Sequence, residues 1–170
     1  IKSINKLEKL NLQKKQMLNI AESIGSDVPF FIDGKIQFVE GRGEILKKCD
    51  SPFLKKIYIV LIIPSFTIST KWAFKKIKKN LEQPMNSNKF PALVSNIDWG
   101  GFKNDFEKIV GMTYPEIFEI KKLLYDNGAL YSGLSGSGST VFGIYNNKEL
   151  VKVILSKFKK YTSFIVAPIQ

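Results

Sequence analysis

The stretch Gly133-Leu134-Ser135-Gly136-Ser137-Gly138-Ser139-Thr140 decides the fold, because it places three glycines and three serines between two apolar runs, residues 129–134 and 141–145. Two strand-like runs joined by a Gly-rich segment predict an antiparallel pair with a tight loop. Glycine can adopt positive φ angles that let successive N–H groups converge, and serine hydroxyls add short donors. The loop is therefore either a cradle for a phosphate or oxyanion or a plain hairpin turn.

Outward from this pair, the chain from residue 57 alternates between strand and helix patterns. Two strands joined directly and two joined through helices predict an antiparallel sheet covered by helices on one face, an α+β sandwich of the ferredoxin-like kind. Residues 83–96 are interpreted as a surface insertion. The predicted elements are a strand at 57–63, a helix at 71–81, a polar connector at 83–101, helices at 105–110 and 116–127, strands at 129–134 and 140–145, a helix at 148–159 and a strand at 162–167.

The first fifty residues have a different pattern. Apolar spacing predicts two short amphipathic helices, at residues 1–7 and 17–24, the second closed by Gly25. Extended segments are predicted at 28–31 and 35–39 around a turn at residues 33 and 34. The composition changes after residues 49–52, so the predicted domains are 1–50 and 51–170. We expect four apolar side chains of the first domain to be unusually accessible or covered by a neighbouring molecule, namely Met17, Leu18, Ile36 and Phe38.

Composition excludes several classes of protein. Histidine is absent and Cys49 is the single cysteine, which argues against zinc sites, Ser-His-Asp catalysis and an intrachain disulfide. No apolar run reaches the length of about 18 residues that a membrane-spanning helix needs. The formal net charge is +11, but Arg42 is the only arginine, so general surface charge is favoured over a nucleic-acid site. The chain begins at Ile1 without a signal-peptide pattern, and we expect a piece of a longer cytoplasmic product, or of a plastid-type one if the source has plastids.

Two segments of the first domain are candidates for chemistry. Asp27 follows a helix end and precedes an apolar run, where a partly desolvated carboxylate can act as a base or orient a hydroxyl. Hydrogen bonding to turn amides explains the same placement. Gly41, Arg42 and Gly43 form a glycine-punctuated loop whose amides can approach a ligand, although a tight turn explains it equally well.

In the second domain, the candidates follow the most apolar strand. Ser69 or Thr70 is suited to cap the next helix, in which Phe74 lies beside the apolar stripe. Phe74 is either a core residue or an aromatic platform at the edge of a cleft. Asn104 is interpreted as the N-cap of a further helix.

Taken together, six segments in this order resemble the GHMP kinase superfamily, and within it the kinases of isoprenoid precursor biosynthesis that act on a cytidine diphosphate-linked polyol. The segments are residues 25–31, 40–44, 64–70, 104–107, 114–117 and 135–143.

The resemblance implies roles for the candidates. Asp27 would accept the proton of, or orient, the substrate hydroxyl that attacks the γ-phosphate of ATP. Gly136, Ser137 and Gly138 would line the acceptor side. Phe74 would stack on the cytosine ring, with Thr70 also binding substrate and the loop of Gly41 and Arg42 near the same base. The implied cofactors are ATP and Mg2+, and the implied partner is a small-molecule polyol rather than a nucleic acid or a membrane.

The same resemblance leads us to expect segments that these 170 residues do not contain. The family carries an N-terminal strand with a catalytic lysine and a Gly-Gly-Gly-Ser-Ser loop around the ATP phosphates. The chain is therefore expected to be the C-terminal portion of the kinase, inactive alone, with no nucleotide-binding or metal-ligating residues of its own and the missing N-terminal part as its partner. Another GHMP kinase, of the homoserine or mevalonate type, and a ferredoxin-like nucleic-acid-binding module remain the alternatives.

Overall fold

The structure is a computed structural model that describes residues 1–41, 43, 45–49, 51–78 and 97–168. The chain divides into two compact units. One comprises residues 1–55 together with Pro168, and the other comprises Lys56–Ala167.

In the first unit, three α-helices precede a two-stranded hairpin. The helices are α1 (Lys2–Leu7), α2 (Lys14–Ile24) and α3 (Phe30–Asp33), and the strands are β1 (Gln37–Glu40) and β2 (Ile45–Lys48). The Gln16 side chain accepts a 2.8 Å hydrogen bond from the Gln13 N–H, which satisfies one of the free donors at the start of α2. Gly25 ends this helix, and its N–H donates to the Ala21 carbonyl at 3.2 Å. The two predicted helices are present.

Residues 28–31 are not extended, so that prediction is wrong. Pro29 has helical backbone angles and begins α3, because its ring fixes φ near the helical value, and Gly34 ends the helix at a φ of 64°. The hairpin pairs β1 with β2 from Gln37↔Lys48 to Glu40↔Ile45, so the chain reverses after Glu40 and not at the predicted turn at 33–34.

The four apolar side chains expected to be most accessible in this unit are half-buried instead: Met17, Leu18, Ile36 and Phe38. Other apolar side chains are more exposed, notably Leu7, Ile24 and Phe31. Met17 lies against α1, where the Asn5 amide contacts its sulfur at 3.6 Å. The spacing of apolar residues predicts where the helices lie, but it does not predict which side of each helix is buried by the rest of the unit.

The second unit contains a four-stranded antiparallel sheet. Its strands are β3 (Tyr58–Ile63), β4 (Tyr131–Leu134), β5 (Val141–Tyr145) and β6 (Thr162–Val166), in the order β4-β5-β3-β6. Strand β3, the first of this unit in the chain, thus lies between β5 and β6, and β4 lies at an edge of the sheet, as in a ferredoxin-like fold. The predicted fold class is confirmed.

In the described part of this unit, four α-helices accompany the sheet: α4 (Thr70–Lys78), α5 (Asp105–Thr113), α6 (Glu116–Asp126) and α7 (Lys148–Leu155). Asn104 caps α5, its side chain accepting from the Phe106 N–H, and Asn147 caps α7, accepting from two N–H groups. Alternate sheet residues and the inner sides of the helices form the core. It includes Val60, Ile62, Val110, Ile117, Ile120, Leu124, Leu134, Val141, Tyr145, Val151, Ile154 and Phe158.

The predicted helix at 71–81 begins one residue earlier, and its described part ends at Lys78. Ala73 and Ile77 form its buried stripe as expected. Leu81 and the predicted insertion at 83–96 lie outside the described residues.

Side chains on the opposite face of the sheet are mostly apolar and less deeply covered. Strand register places them on one face, because directly paired residues point the same way. The ones that are at least partly exposed are Ile59, Leu61, Ile63, Tyr131, Phe142, Phe164 and Val166, whereas Ile144 is buried and Thr162, which pairs with Ile63, is polar. None of the helices in the described part of the chain has the length and apolarity to cross a membrane.

Candidate functional site

The Gly-Ser loop joins β4 to β5 and is closed by its own backbone. The Ser135 N–H donates to the Thr140 carbonyl at 2.8 Å, and the Gly138 N–H donates to the Ser135 carbonyl at 2.9 Å. Gly138 has a φ of 94°, and a Cβ there would lie 2.9 Å from Cδ1 of buried Ile68. Only glycine allows the loop this close to the core.

Space around Gly136 is open, in contrast to Gly138. Its φ is 55°, and a Cβ at this position would meet no atom within 4 Å. The structural requirement for glycine at this position is therefore conformational, and the surrounding space is free to admit a ligand.

Side chains tie the loop to the segment between β3 and α4. The hydroxyls of Thr70 and Ser137 share a hydrogen bond of 3.0 Å, and the Ser139 hydroxyl donates to the Phe66 carbonyl at 2.7 Å. Ser69 is the residue that caps α4, since its hydroxyl accepts from the Trp72 N–H at 3.3 Å. The structure thus brings together Thr70 and Ser137, two predicted site residues that lie 67 positions apart.

Phe74 lies at the edge of a cleft next to this loop. Its side chain is 51% exposed, and its ring meets the Phe106 ring edge-on with centroids 4.9 Å apart. The cleft has a volume of about 610 Å³ and is lined by Phe74, Ile77, Lys103, Asn104, Asp105, Phe106 and Gly136. Of the two interpretations of Phe74, this placement favours the aromatic platform.

In the first unit, Asp27 lies beside the hairpin turn. Gly43 has a φ of 121°, and a Cβ there would lie 2.5 Å from the Ser26 carbonyl oxygen and 3.1 Å from Oδ1 of Asp27. The exposed Asp27 carboxylate is 3.4 Å from the Ser26 hydroxyl. Gly41 has a φ of 71°, whereas Arg42 lies outside the described residues. The two predicted segments of this unit, 26–27 and 41–43, therefore meet.

The family can now be stated, since residues 75–163 match the family model described as the C-terminal domain of GHMP kinases. This chain belongs to the GHMP kinases. The resemblance drawn from its motifs is confirmed.

Three curated relatives of this GHMP kinase chain are named 4-diphosphocytidyl-2-C-methyl-D-erythritol kinase. The protein of Thermodesulfovibrio yellowstonii is 40% identical over 98% of the chain, and that of Bacteroides fragilis is 39% identical over 89%. A third, from Syntrophus aciditrophicus, is 34% identical over 99%. The chain spans 54–61% of the length of these relatives.

Solved structures agree with the fold. A crystal structure of a 4-(cytidine 5'-diphospho)-2C-methyl-D-erythritol kinase superposes with a TM-score of 0.73 at 20% identity, covering 96% of this chain and 59% of that one. A homoserine kinase from Cytophaga hutchinsonii superposes with a TM-score of 0.63 at 19% identity, covering 98% of this chain and 61% of that one. These likenesses show the fold that the GHMP kinases share.

Two residues that line the Phe74 cleft are not predicted as site residues from the sequence. Lys103 and Phe106 line it because α4 packs against α5, a tertiary contact that no local pattern encodes. The available signal was the 104–107 segment, which we interpreted only as a helix start.

A second cleft of about 750 Å³ lies on the other side of the start of α5. The rings of Trp99, Phe102 and Tyr131 line it, and Glu107 and Lys121 form an ion pair there. Burial, together with the nearby Glu107 carboxylate, raises the pKa of Tyr131, whose hydroxyl donates to the Phe102 carbonyl at 3.1 Å. Tyr131 therefore stays a neutral hydrogen-bond donor at physiological pH.

Among the described residues, no three His, Cys, Asp or Glu side chains come together as metal ligands. The Mg2+ that the family resemblance implies stays a prediction. Mg2+ in kinases is commonly held by one or two carboxylates and the substrate phosphates.

Proposed function

We propose that this chain forms the acceptor-side part of an ATP-dependent kinase that phosphorylates a hydroxyl group of 4-diphosphocytidyl-2-C-methyl-D-erythritol. The observation that carries the proposal is the 40% identity to a kinase of that name over 98% of the chain. The six motif segments lie within this aligned chain. GHMP kinase membership supports ATP as the phosphate donor.

Phosphoryl transfer depends mainly on positioning and on stabilising charge, so few side chains need to take part chemically. Asp27 is proposed to accept the proton of the attacking hydroxyl or to orient it, and its exposed carboxylate is available for that task. Backbone amides of the Gly136 to Gly138 loop are proposed to line the acceptor side, together with the Thr70 and Ser137 hydroxyls.

The Phe74 cleft is the proposed binding site of the cytosine ring. Phe74 is half exposed at the edge of the cleft and packs against Phe106 in a T-shaped contact, and this exposure supports a stacking role. Lys103 lines the same cleft and brings a positive charge that suits a phosphate group. Gly41 and Arg42 are proposed to be substrate-binding residues, as the family resemblance implies.

A domain assignment accompanies this proposal. Residues 51–170 are proposed to be the C-terminal domain, which the compact unit 56–167 and the family match at 75–163 support. Residues 1–50 are proposed to be the tail of the nucleotide-binding domain. Because the substrates are charged and water-soluble, the proposed place of action is the cytoplasm, or a plastid-type organelle where the source has one.

Sheet geometry gives less support to the nucleic-acid alternative. A ferredoxin-like RNA-binding module stacks bases on aromatics of its open sheet face and contacts phosphates with basic residues. On this face, the described strands β3 to β6 present mostly aliphatic side chains and no lysine or arginine. Lysines do line the cleft beside Tyr131 at the β4 edge, but they project from the α5 and α6 segments and not from the strands.

Kinase assays with several phosphate acceptors test the proposed function. The full-length protein should transfer phosphate from ATP to 4-diphosphocytidyl-2-C-methyl-D-erythritol at least a hundredfold faster than to homoserine or mevalonate, measured as kcat/KM. Equal or higher rates with homoserine or mevalonate would assign a different GHMP activity. The 170-residue chain alone should be inactive, since its sequence does not contain the Gly-Gly-Gly-Ser-Ser segment that binds the ATP phosphates in this family.

A further inference from the structure

Asn104 uses its whole side-chain amide to join two elements. Its Nδ2 donates to the Leu134 carbonyl at 2.7 Å and to the Gly136 carbonyl at 2.8 Å. Its Oδ1 accepts from the Phe106 N–H at 2.9 Å. A helix cap needs only the last of these bonds, so the other two call for a separate explanation.

Glu107, one turn further along α5, binds the same stretch of β4. Its Oε2 accepts from the Leu134 N–H at 3.2 Å, while its Oε1 accepts from Lys121. Both carboxylate and ammonium are largely buried, with side-chain exposures of 20% and 15%. Because β4 is an edge strand, the outward N–H and C=O of Leu134 have no strand neighbour, and Asn104 and Glu107 take its place.

The bond to Gly136 also orients the loop. The Gly136–Ser137 peptide is trans, so its N–H points opposite to its carbonyl. Holding the Gly136 carbonyl toward Asn104 therefore fixes the direction of the Ser137 N–H, one of the loop's possible anion donors. Meanwhile the Ser137 hydroxyl is held by Thr70.

The same side chain sets the opposite wall of the cleft. Asn104 fixes the start of α5, and the next residue but one, Phe106, packs against Phe74. A single amide thus joins the Gly136 end of the loop to the start of the helix whose Phe106 packs on Phe74.

We propose that Asn104 is a positioning residue that, with Glu107, holds the Gly136 to Gly138 loop in register with the Phe74 cleft; its catalytic consequence rests on the proposed kinase function. Misplacing reacting groups by about 1 Å can cost about a hundredfold in rate. Loss of the Nδ2 bonds should therefore reduce turnover even though the loop and Phe74 keep all their own atoms.

The test separates two roles of Asn104. One is the helix cap, which is the bond from the Phe106 N–H; the other is the clamp, which is the pair of Nδ2 bonds to the Leu134 and Gly136 carbonyls. Serine caps helices about as well as asparagine but cannot reach both carbonyls, so Asn104→Ser keeps the cap and loses the clamp. Asn147 offers the matched control, because its Oδ1 caps α7 by accepting from the N–H groups of Glu149 and Leu150. Asn104→Asp is the second variant, since Asp caps well and fills the same volume but cannot donate.

In the full-length protein, Asn104→Ser and Asn104→Asp should each lower kcat/KM for the cytidylated acceptor by about 10- to 100-fold. The KM for ATP should change less than twofold, and Asn147→Ser should leave both constants within twofold. Amide hydrogen exchange of residues 135–138 should accelerate at least tenfold in the Asn104 variants and not in Asn147→Ser.

Each other outcome has a definite meaning. Kinetics of the Asn104 variants that match those of Asn147→Ser would overturn the positioning role, and unchanged exchange at 135–138 would overturn the clamp itself. A wild-type protein without activity on the cytidylated acceptor would contradict the proposed function instead. Faster exchange in the Asn104 variants would then still support the clamp.

Discussion

Asp27 is the single residue on which the proposed chemistry depends most. Asp27→Asn keeps the size of the side chain but removes the proton acceptor, so kcat should fall by about 10²–10⁴-fold with little change in either KM. Asp33→Asn is the matched control, because that carboxylate binds Lys14 at 2.5 Å in the same unit. Steady-state kinetics of the full-length protein provide the measurement. A kcat within a few-fold of wild type would make Asp27 a turn residue.

Phe74 is expected to act on substrate affinity rather than on turnover. Base–aromatic stacking is worth about 1–3 kcal/mol, so Phe74→Ala should raise the KM for the cytidylated acceptor by about 5- to 150-fold and leave the KM for ATP unchanged. Phe164→Ala removes an equally exposed ring from the open face of the sheet and serves as the control. An equal effect of both substitutions on the acceptor KM would argue against stacking.

At the scale of elements, the hairpin turn beside Asp27 gives a sharp test of packing. Gly43→Ala would place a Cβ 2.5 Å from the Ser26 carbonyl, in a backbone conformation that already disfavours side chains. Gly34→Ala is the control, since its φ is also positive but its nearest contact is 3.9 Å away. We expect Gly43→Ala to cost at least about 2 kcal/mol in unfolding free energy and Gly34→Ala about 1 kcal/mol. Urea titration measures both, and equal costs would show that the Ser26 contact is unimportant.

Predictability from sequence differs between elements for physical reasons. Strands β3 to β6 and their helices were predictable, because apolar periodicity and caps such as Asn104 are local signals. Residues 28–31 are predicted as extended, but Pro29 and Gly34 set a short helix at Phe30–Asp33 instead. The pairing of Thr70 with Ser137 and the role of Lys103 in the cleft depend on tertiary packing. Motif resemblance supplied the first two residues, and nothing in the sequence supplied the third.

For the second unit as a whole, the buried Tyr145 joins the sheet to α6, because its hydroxyl donates to the Leu124 carbonyl at 3.2 Å. Burial raises the pKa of Tyr145 from its usual 10.0 to about 12. A group whose pKa is higher in the folded state contributes stability that is complete below the unfolded pKa and is lost as the pH rises through the folded one.

The expected consequence is a tyrosine-specific loss of stability in alkali. The unfolding free energy of the wild type minus that of Tyr145→Phe should be constant between pH 7 and about 9.5 and should then fall by about 2 kcal/mol as the pH approaches 12. Lysines titrate over the same range, but they are common to both proteins and cancel in the difference. Urea titrations at a series of pH values measure it. Parallel pH profiles for the two proteins would show that the Tyr145 hydroxyl does not titrate with folding, and that this buried hydrogen bond is not what couples the core to pH.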